Sequence, residues 1–160
     1  MPRIYLGLGA NLGDREANIR NAVGMLEQRI GPLLRMSSLF ETEPLGFRSE
    51  HPFLNAAAEF ETALPPLDLL KETQAVERIL GRKHKSHDGI YHDRPIDIDL
   101  LMLIRDDAQV SMRTPSLTLP HPRMWERPFV TEPLRELGVT AGTFPAAPPL
   151  QHFTLHVQTS

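Results

Sequence analysis

The chain has 160 residues, is 41% hydrophobic and 23% charged, and carries a formal net charge of −3 with a pI near 6.1; this is the ordinary balance of one soluble globular domain able to bury a core. That charge leaves no basic footprint for nucleic acid, and a chain without cysteine has no disulfide, thiol nucleophile or cysteine zinc site. No apolar run approaches the ~18 residues of a membrane span and no signal-peptide layout opens the sequence, so the expectation is a cytoplasmic protein.

Taken in order, Ile4, Tyr5, Leu6 and Leu8 make a short apolar strand that runs into Gly7-Leu8-Gly9-Ala10-Asn11-Leu12-Gly13-Asp14. This stretch lacks the G-K-[ST] ending of a P-loop and does not fit G-x-G-x-x-G, so a tight strand-to-helix turn is favoured over a phosphate cradle. Asp14 suits an N-cap, and Ile19, Ala22, Val23, Leu26 and Ile30 recur at helical spacing until Gly31-Pro32. Leu33 to Phe40 alternates as a strand with Leu34, Met36, Ser38 and Phe40 on one side; a loop follows over 41–47, then a second strand pattern from Phe53 to Phe60. Phe53 and Asn55 share a face of that strand, an aromatic plane beside an amide. Such a pair could hold a flat heteroaromatic ring, or it could be a core Phe and an Asn at a hairpin end.

Pro65-Pro66 opens a second helix with apolar positions Leu67, Leu70, Val76, Ile79 and Leu80, closed by Gly81. Gln74 and Glu77 lie on neighbouring parts of one helix face, and Arg82 follows at the helix end, where a cation suits the dipole. The aperiodic stretch 83–92, with His84, His87 and His92, reads as a loop. Its histidine spacing matches no zinc motif.

Next comes the most informative run, Asp93-Arg94-Pro95-Ile96-Asp97-Ile98-Asp99-Leu100-Leu101-Met102-Leu103-Ile104. From Ile96 to Ile104 it reads as a buried strand with Asp97, Asp99, Leu101 and Leu103 on one face and Ile98, Leu100, Met102 and Ile104 on the other. The two aspartates are then about 6.5–7 Å apart at their Cα atoms. Like charges at the mouth of an apolar strand lose hydration and repel, so either they hold a hard cation such as Mg²⁺, completed by nucleotide phosphates, or they cap the strand end beside Arg94. Beyond a turn at Arg105-Asp106-Asp107, a short extended segment lies within Thr114 to Leu119. Then Leu119-Pro120-His121-Pro122-Arg123-Met124-Trp125-Glu126-Arg127-Pro128-Phe129 gathers groups that bind anions and rings. Val130 to Leu137 suits a short helix or turn broken near Pro133, and the tail 138–160 is rich in Pro, Ala and Thr, with Phe153, Leu155 and Val157 alternating as a further edge strand. The element order predicts one α+β domain over 1–160, a ferredoxin-like βαββαβ core whose antiparallel sheet packs against its helices.

GLGANLGD at 7–14, ETEPLGF at 41–47, PFLNAA at 52–57, Glu77 with Gly81-Arg82, DRPIDIDLL at 93–101 and LPHPRMWERPFV at 119–130 together resemble the 6-hydroxymethyl-7,8-dihydropterin pyrophosphokinase family. The resemblance implies transfer of the β,γ-pyrophosphate of ATP to a pterin hydroxymethyl group in folate biosynthesis, with two Mg²⁺ ions, by a monomer whose partners are these small substrates. It would place both Mg²⁺ ions on Asp97 and Asp99, and would set the pterin between Phe53 and Phe129, with Asn55 and the backbone near Thr42 and Leu45 reading its edge. ATP would meet Gln74, Glu77, Leu100, Thr118 and His121, with Arg82, Arg94 and Arg127 near the phosphates or closing loops. The loops 43–51 and 83–92 would be the lids.

The chain departs from the family pattern at Glu43, Phe53, Ile90-Tyr91 and Pro122. Another Mg²⁺-dependent nucleotide transferase would keep the aspartates but release ADP or free pyrophosphate, and a binding domain without catalysis would keep Phe53, Asn55 and Phe129.

Overall fold

A strand whose residues are nearly all buried needs neighbours on both edges. The first strand, β1 (Arg3–Ala10), buries every position except Arg3 and Gly7 and runs through the middle of the sheet. The structure is a computed structural model that describes residues 1–42, 52–81 and 95–146. Leu45, Arg82, Arg94, the expected lids at 43–51 and 83–92, the histidines of the second loop, Ile90-Tyr91 and the expected edge strand at 153–157 lie outside the described residues.

The other elements are α1 (Arg15–Arg29), β2 (Leu33–Met36), β3 (Phe40–Thr42), β4 (Phe53–Glu61), α2 (Pro66–Ile79), β5 (Asp97–Arg105), β6 (Ala108–Gln109), β7 (Met112–Arg113), β8 (Thr118–Leu119), a 3₁₀ turn (Met124–Glu126) and α3 (Pro128–Glu136). The main sheet has the order β2-β4-β1-β5-β6, β3 also pairs with β4, and these pairings are antiparallel. Helix α1 starts where expected, Asp14 accepting the Ala17 N–H at 3.1 Å. One sheet face, through Ile4, Leu6, Leu8, Phe60, Ile98 and Leu100, packs on α1 and α2. The opposite face, through Tyr5, Ala57, Leu101 and Met102, packs on Met124 and on Val130 and Leu134 of α3. No described helix is long and apolar enough to cross a membrane.

Several local expectations are corrected. Strand β5 alternates only to Leu100: Tyr5 pairs with Met102 but Leu6 with Leu100, so Leu101 is an extra, bulged residue. Beyond it the phase inverts, placing Met102 and Ile104 on the α3 side and Leu103 on the α1/α2 side. A second register shift, between Leu33 and Arg35, turns Leu33 and Met36 toward the core and leaves Leu34 exposed. Gly7 and Gly9 lie inside β1 rather than in a turn, and the positive φ of that region is at Gly13.

The inward stripe of α2 is Leu69, Thr73, Val76 and Glu77, whereas Leu67 and Ile79 are exposed. Two of its four members are polar, which a count of apolar residues overlooks. The extended segment near 114–119 is reduced to β8, which pairs with β7. Finally, α3 continues through Pro133; the lost hydrogen bond and ring clash are offset by burying Val130, Pro133 and Leu134.

An ionic cluster fixes the α3 side of the sheet. Glu59, 2% exposed, accepts from Arg3 at 2.9 Å and from Arg35 at 2.8 Å; Arg35 also donates to the Leu137 carbonyl at 2.7 Å and the Tyr5 hydroxyl at 3.2 Å. Burial, reinforced by Glu59, pushes the Tyr5 phenol up to about 12. For Glu59, burial acts to raise the carboxyl, but hydrogen bonds from Arg35 and Tyr5 and the charges of Arg35 and Arg3 outweigh it and hold it below the usual range. A carboxyl lowered by folding adds stability above its unfolded value of about 4.3, and that stability is lost as pH falls through the lowered folded value. Glu59→Gln should therefore cost about 1–2 kcal/mol near neutral pH, and urea unfolding should show the gap to wild type closing on acidification. A gap independent of pH would contradict the charge argument.

Candidate active site

Directly opposed residues on neighbouring strands send their side chains to the same face. Gly9 of β1 is opposed by Asn55 on β4 and by Asp97 on β5; two residues away Gly7 is opposed by Ala57 and Asp99. The sheet thus sets Asn55 and Asp97 on either side of a glycine, with Asp99 on the next such rung. Both aspartates are half-buried. The Asn55 amide, 5% exposed, donates to Thr42 Oγ1 at 2.6 Å across the β3–β4 pair.

The edge of β5 away from β1 is satisfied by side chains and loops rather than by a long strand. Glu77 is 2% exposed and accepts the Ile98 N–H at 2.8 Å, between the two aspartates. The carbonyl of the bulged Leu101 accepts the His121 N–H at 2.8 Å, seating the segment after β8 beside the aspartates. Between this segment, α2 and the β5 edge lies a cleft of about 340 Å³, lined by apolar Leu70, Ile98 and Leu100 and by polar Gln74, Thr118 and His121, with Asp99 on its wall.

Burial holds the His121 imidazole below its ordinary value, Arg127 and Arg123 adding to the effect and Asp97 opposing it, so the ring is neutral near pH 7. Its Nδ1 accepts the Arg123 N–H at 3.2 Å. The proton then sits on Nε2, a donor for a ligand in the cleft.

Of the expected site residues, Gln74, Leu100, Thr118 and His121 meet in this cleft, whereas Glu77 lies behind it on the Ile98 N–H. Thr42, Phe53 and Asn55 meet at the β3–β4 pair. Phe129 enters with α3, which packs against the face that carries Ala57, and the Arg127 guanidinium lies 5.6 Å from its ring centroid. Sequence reasoning missed Thr114 and Ser116, which also line the cleft. It also missed Arg15, which donates to the Pro52 carbonyl and to Glu41, both at 2.9 Å, and so ties β3 to the start of β4. A cation at the first helical position, otherwise unfavourable against the dipole, was the available signal.

The donor set at Asp97 and Asp99 fits Mg²⁺. Both are hard oxygen donors on one face beside an open cleft. Mg²⁺ is usually held by one or two carboxylates, with phosphate oxygens and water completing its shell.

Residues 5–139 match the family model of 7,8-dihydro-6-hydroxymethylpterin-pyrophosphokinase (HPPK). The chain belongs to this family. It is 50% identical over 138 residues to a 2-amino-4-hydroxy-6-hydroxymethyldihydropteridine pyrophosphokinase of Porphyromonas gingivalis, covering 86% of the chain and 92% of that protein. The Bacillus subtilis protein of the same name is 41% identical over 134 residues, covering 83% and 76%. With the family comes the enzyme class, a pyrophosphokinase. A crystal structure of an HPPK-DHPS in complex with substrates shares the fold at a TM-score of 0.63 and 14% identity; it matches 99% of this chain, which spans 44% of that longer one.

Glu77 adds a hydrogen bond to the apolar packing between α2 and the aspartate strand. Glu77→Ala should speed hydrogen exchange at the Ile98 amide and cost about 1–3 kcal/mol for an unsatisfied buried donor, while Glu77→Gln, whose amide oxygen can still accept, should keep most of the protection. Equal Ile98 protection in Glu77→Ala would contradict the assignment.

Proposed function

We propose that this chain transfers the β,γ-pyrophosphate of ATP to the hydroxymethyl group of 6-hydroxymethyl-7,8-dihydropterin, giving AMP and the pterin diphosphate for folate synthesis. The observation that carries the reading is the shared face of Asn55, Gly9 and Asp97, beside a cleft with Asp99 on its wall. It sets a polar reader for a ring edge next to carboxylates suited to phosphate-bound metal.

In this reading Leu70, Ile98 and Leu100 form the apolar wall for the base, and Gln74, Thr118 and the Nε2–H of His121 supply polar contacts to the nucleotide. Glu77 acts by fixing the backbone between Asp97 and Asp99. Phe53 and Phe129 hold the pterin ring, and Asn55 with the backbone near Thr42 and Leu45 reads its edge. Asp97 and Asp99 would hold two Mg²⁺ ions, whose charge would be available to neutralise the phosphates and the attacking and leaving oxygens. The pterin hydroxyl oxygen bonds to the β-phosphorus as the bond from that phosphorus to the α,β-bridging oxygen breaks; AMP leaves with the bridging oxygen, and the hydroxyl proton passes to water. The chain contributes positioning and charge rather than a covalent nucleophile, and Arg82, Arg94 and Arg127 are the cations for the phosphates.

The strand order and the two helices on one face support a ferredoxin-like core; a single domain over 1–160 acting as a cytoplasmic monomer is part of the same proposal. Incubation with ATP, Mg²⁺ and the reduced hydroxymethylpterin should yield AMP and pterin diphosphate one for one by chromatography. ADP or free pyrophosphate as product would overturn the reaction. Asp97→Ala should lower turnover by about 10²–10³-fold or more while pterin binding survives, and a fully active variant would remove the metal assignment.

A further inference from the structure

Gly9 is flanked on its rung of the sheet by Asn55 and Asp97, and its backbone does not demand glycine: among the described residues the positive-φ glycines are Gly13, Gly31, Gly81 and Gly138. Glycine inside a strand weakens it, and commonly marks a place where another group comes close. Here that group is identifiable. A Cβ at Gly9 would stand 2.9 Å from Asn55 Oδ1 and 3.5 Å from Phe53 Cδ1, whereas at Gly7 it would meet only the Leu101 side chain at an ordinary 3.6 Å. Asn55 cannot simply swing aside, because it is buried and its Nδ2 donates to Thr42 Oγ1 at 2.6 Å. Moving Oδ1 away from residue 9 turns the same amide off Thr42.

We propose that Gly9 is a positioning residue for ring recognition. By presenting no side chain, it lets the Asn55 amide lie over β1 with Nδ2 on Thr42 and Oδ1 above the glycine, between Phe53 and the rung of Asp97. An acceptor oxygen fixed there suits the donor edge, ring N–H and exocyclic amine, of a 2-amino-4-oxo heterocycle. The inference rests on the proposed pterin site, and it assigns to β1 a share in substrate selection that works through Asn55 rather than by direct contact.

The test uses the full-length chain as wild type, Gly9→Ala, Asn55→Ala and the double variant. Gly9→Ala should unfold at a lower temperature than wild type, because turning the buried Asn55 amide off Thr42 outweighs the better strand propensity of alanine, and its affinity for 6-hydroxymethyl-7,8-dihydropterin should fall about tenfold, as in Asn55→Ala. The double variant should bind no worse than Asn55→Ala, the non-additivity expected of one residue acting through another. In the ligand-free protein the side-chain amide resonances of Asn55 should move in Gly9→Ala. Pterin affinity within about twofold of wild type, additive losses, or an unmoved Asn55 amide would each overturn the proposal. If Gly9→Ala alone failed to fold, recovery in the double variant, where Oδ1 is gone, would support the clash, and continued unfolding would overturn it. A wild-type chain that binds no pterin while the Asn55 amide still moves in Gly9→Ala would sink the functional reading and leave the placement of Asn55 by Gly9 supported.

Discussion

The register of β1 against β4 and β5 is the constraint on which the site depends. A slip of one residue would carry Asn55 or Asp97 to the opposite face of the sheet, among the side chains of α1 and α2. The slip is opposed by burial on both faces: Ile4, Leu6 and Leu8 pack on one side and Tyr5 on the other, all essentially inaccessible to solvent. At the far end of the same strands Tyr5 and Glu59 are tied to Arg35, and Glu59 to Arg3. This adds a polar lock that only the observed pairing satisfies.

The bulge at Leu101 reconciles two demands on one strand. The aspartate end of β5 must present carboxylates on the α3 side while Ile98 and Leu100 face α1 and α2; farther along, Met102 and Ile104 fill the α3 side. A strictly alternating strand could not return Leu103 to the helix-covered face after Leu101 and Met102 had both faced α3. The inserted residue changes the phase, and its carbonyl is used at once, as acceptor for the His121 N–H. A local irregularity in the ladder thereby docks one wall of the cleft. Glu77 performs the complementary task at the Ile98 N–H, so the outer edge of β5 is closed by groups that also shape the site.

Much of this was legible from residue pattern, because the strongest signals are local. The Asp14 cap, the helical spacing of Ile19, Val23 and Leu26, and the pairing of Phe53 with Asn55 on one face follow from period and chemistry alone. The aspartates were readable for the same reason, as charges where an apolar run makes them costly. What escaped was set by tertiary context. The inward face of α2 includes Thr73 and Glu77 because their polar atoms find partners on the Leu70 carbonyl and the Ile98 N–H, which no hydrophobic count registers. The bulge at Leu101 and the shift at Leu33 depend on partner strands distant in sequence. Gly7 and Gly9 suggested a turn, since a glycine's reason for being in a strand lies in the neighbour it makes room for.

Central to the proposed function is that the carboxylates proposed to hold metal and the amide proposed to read the ring share one face of the sheet, a glycine apart. Nuclear relaxation of the pterin hydroxymethyl protons measures this directly, in a complex of the full chain with Mn²⁺, a non-hydrolysable ATP analogue and the pterin. Strong paramagnetic broadening that disappears in Asp97→Ala, with the pterin still bound, is the result expected of that geometry. Bound pterin whose hydroxymethyl protons feel no paramagnetic effect in the wild-type chain would contradict it.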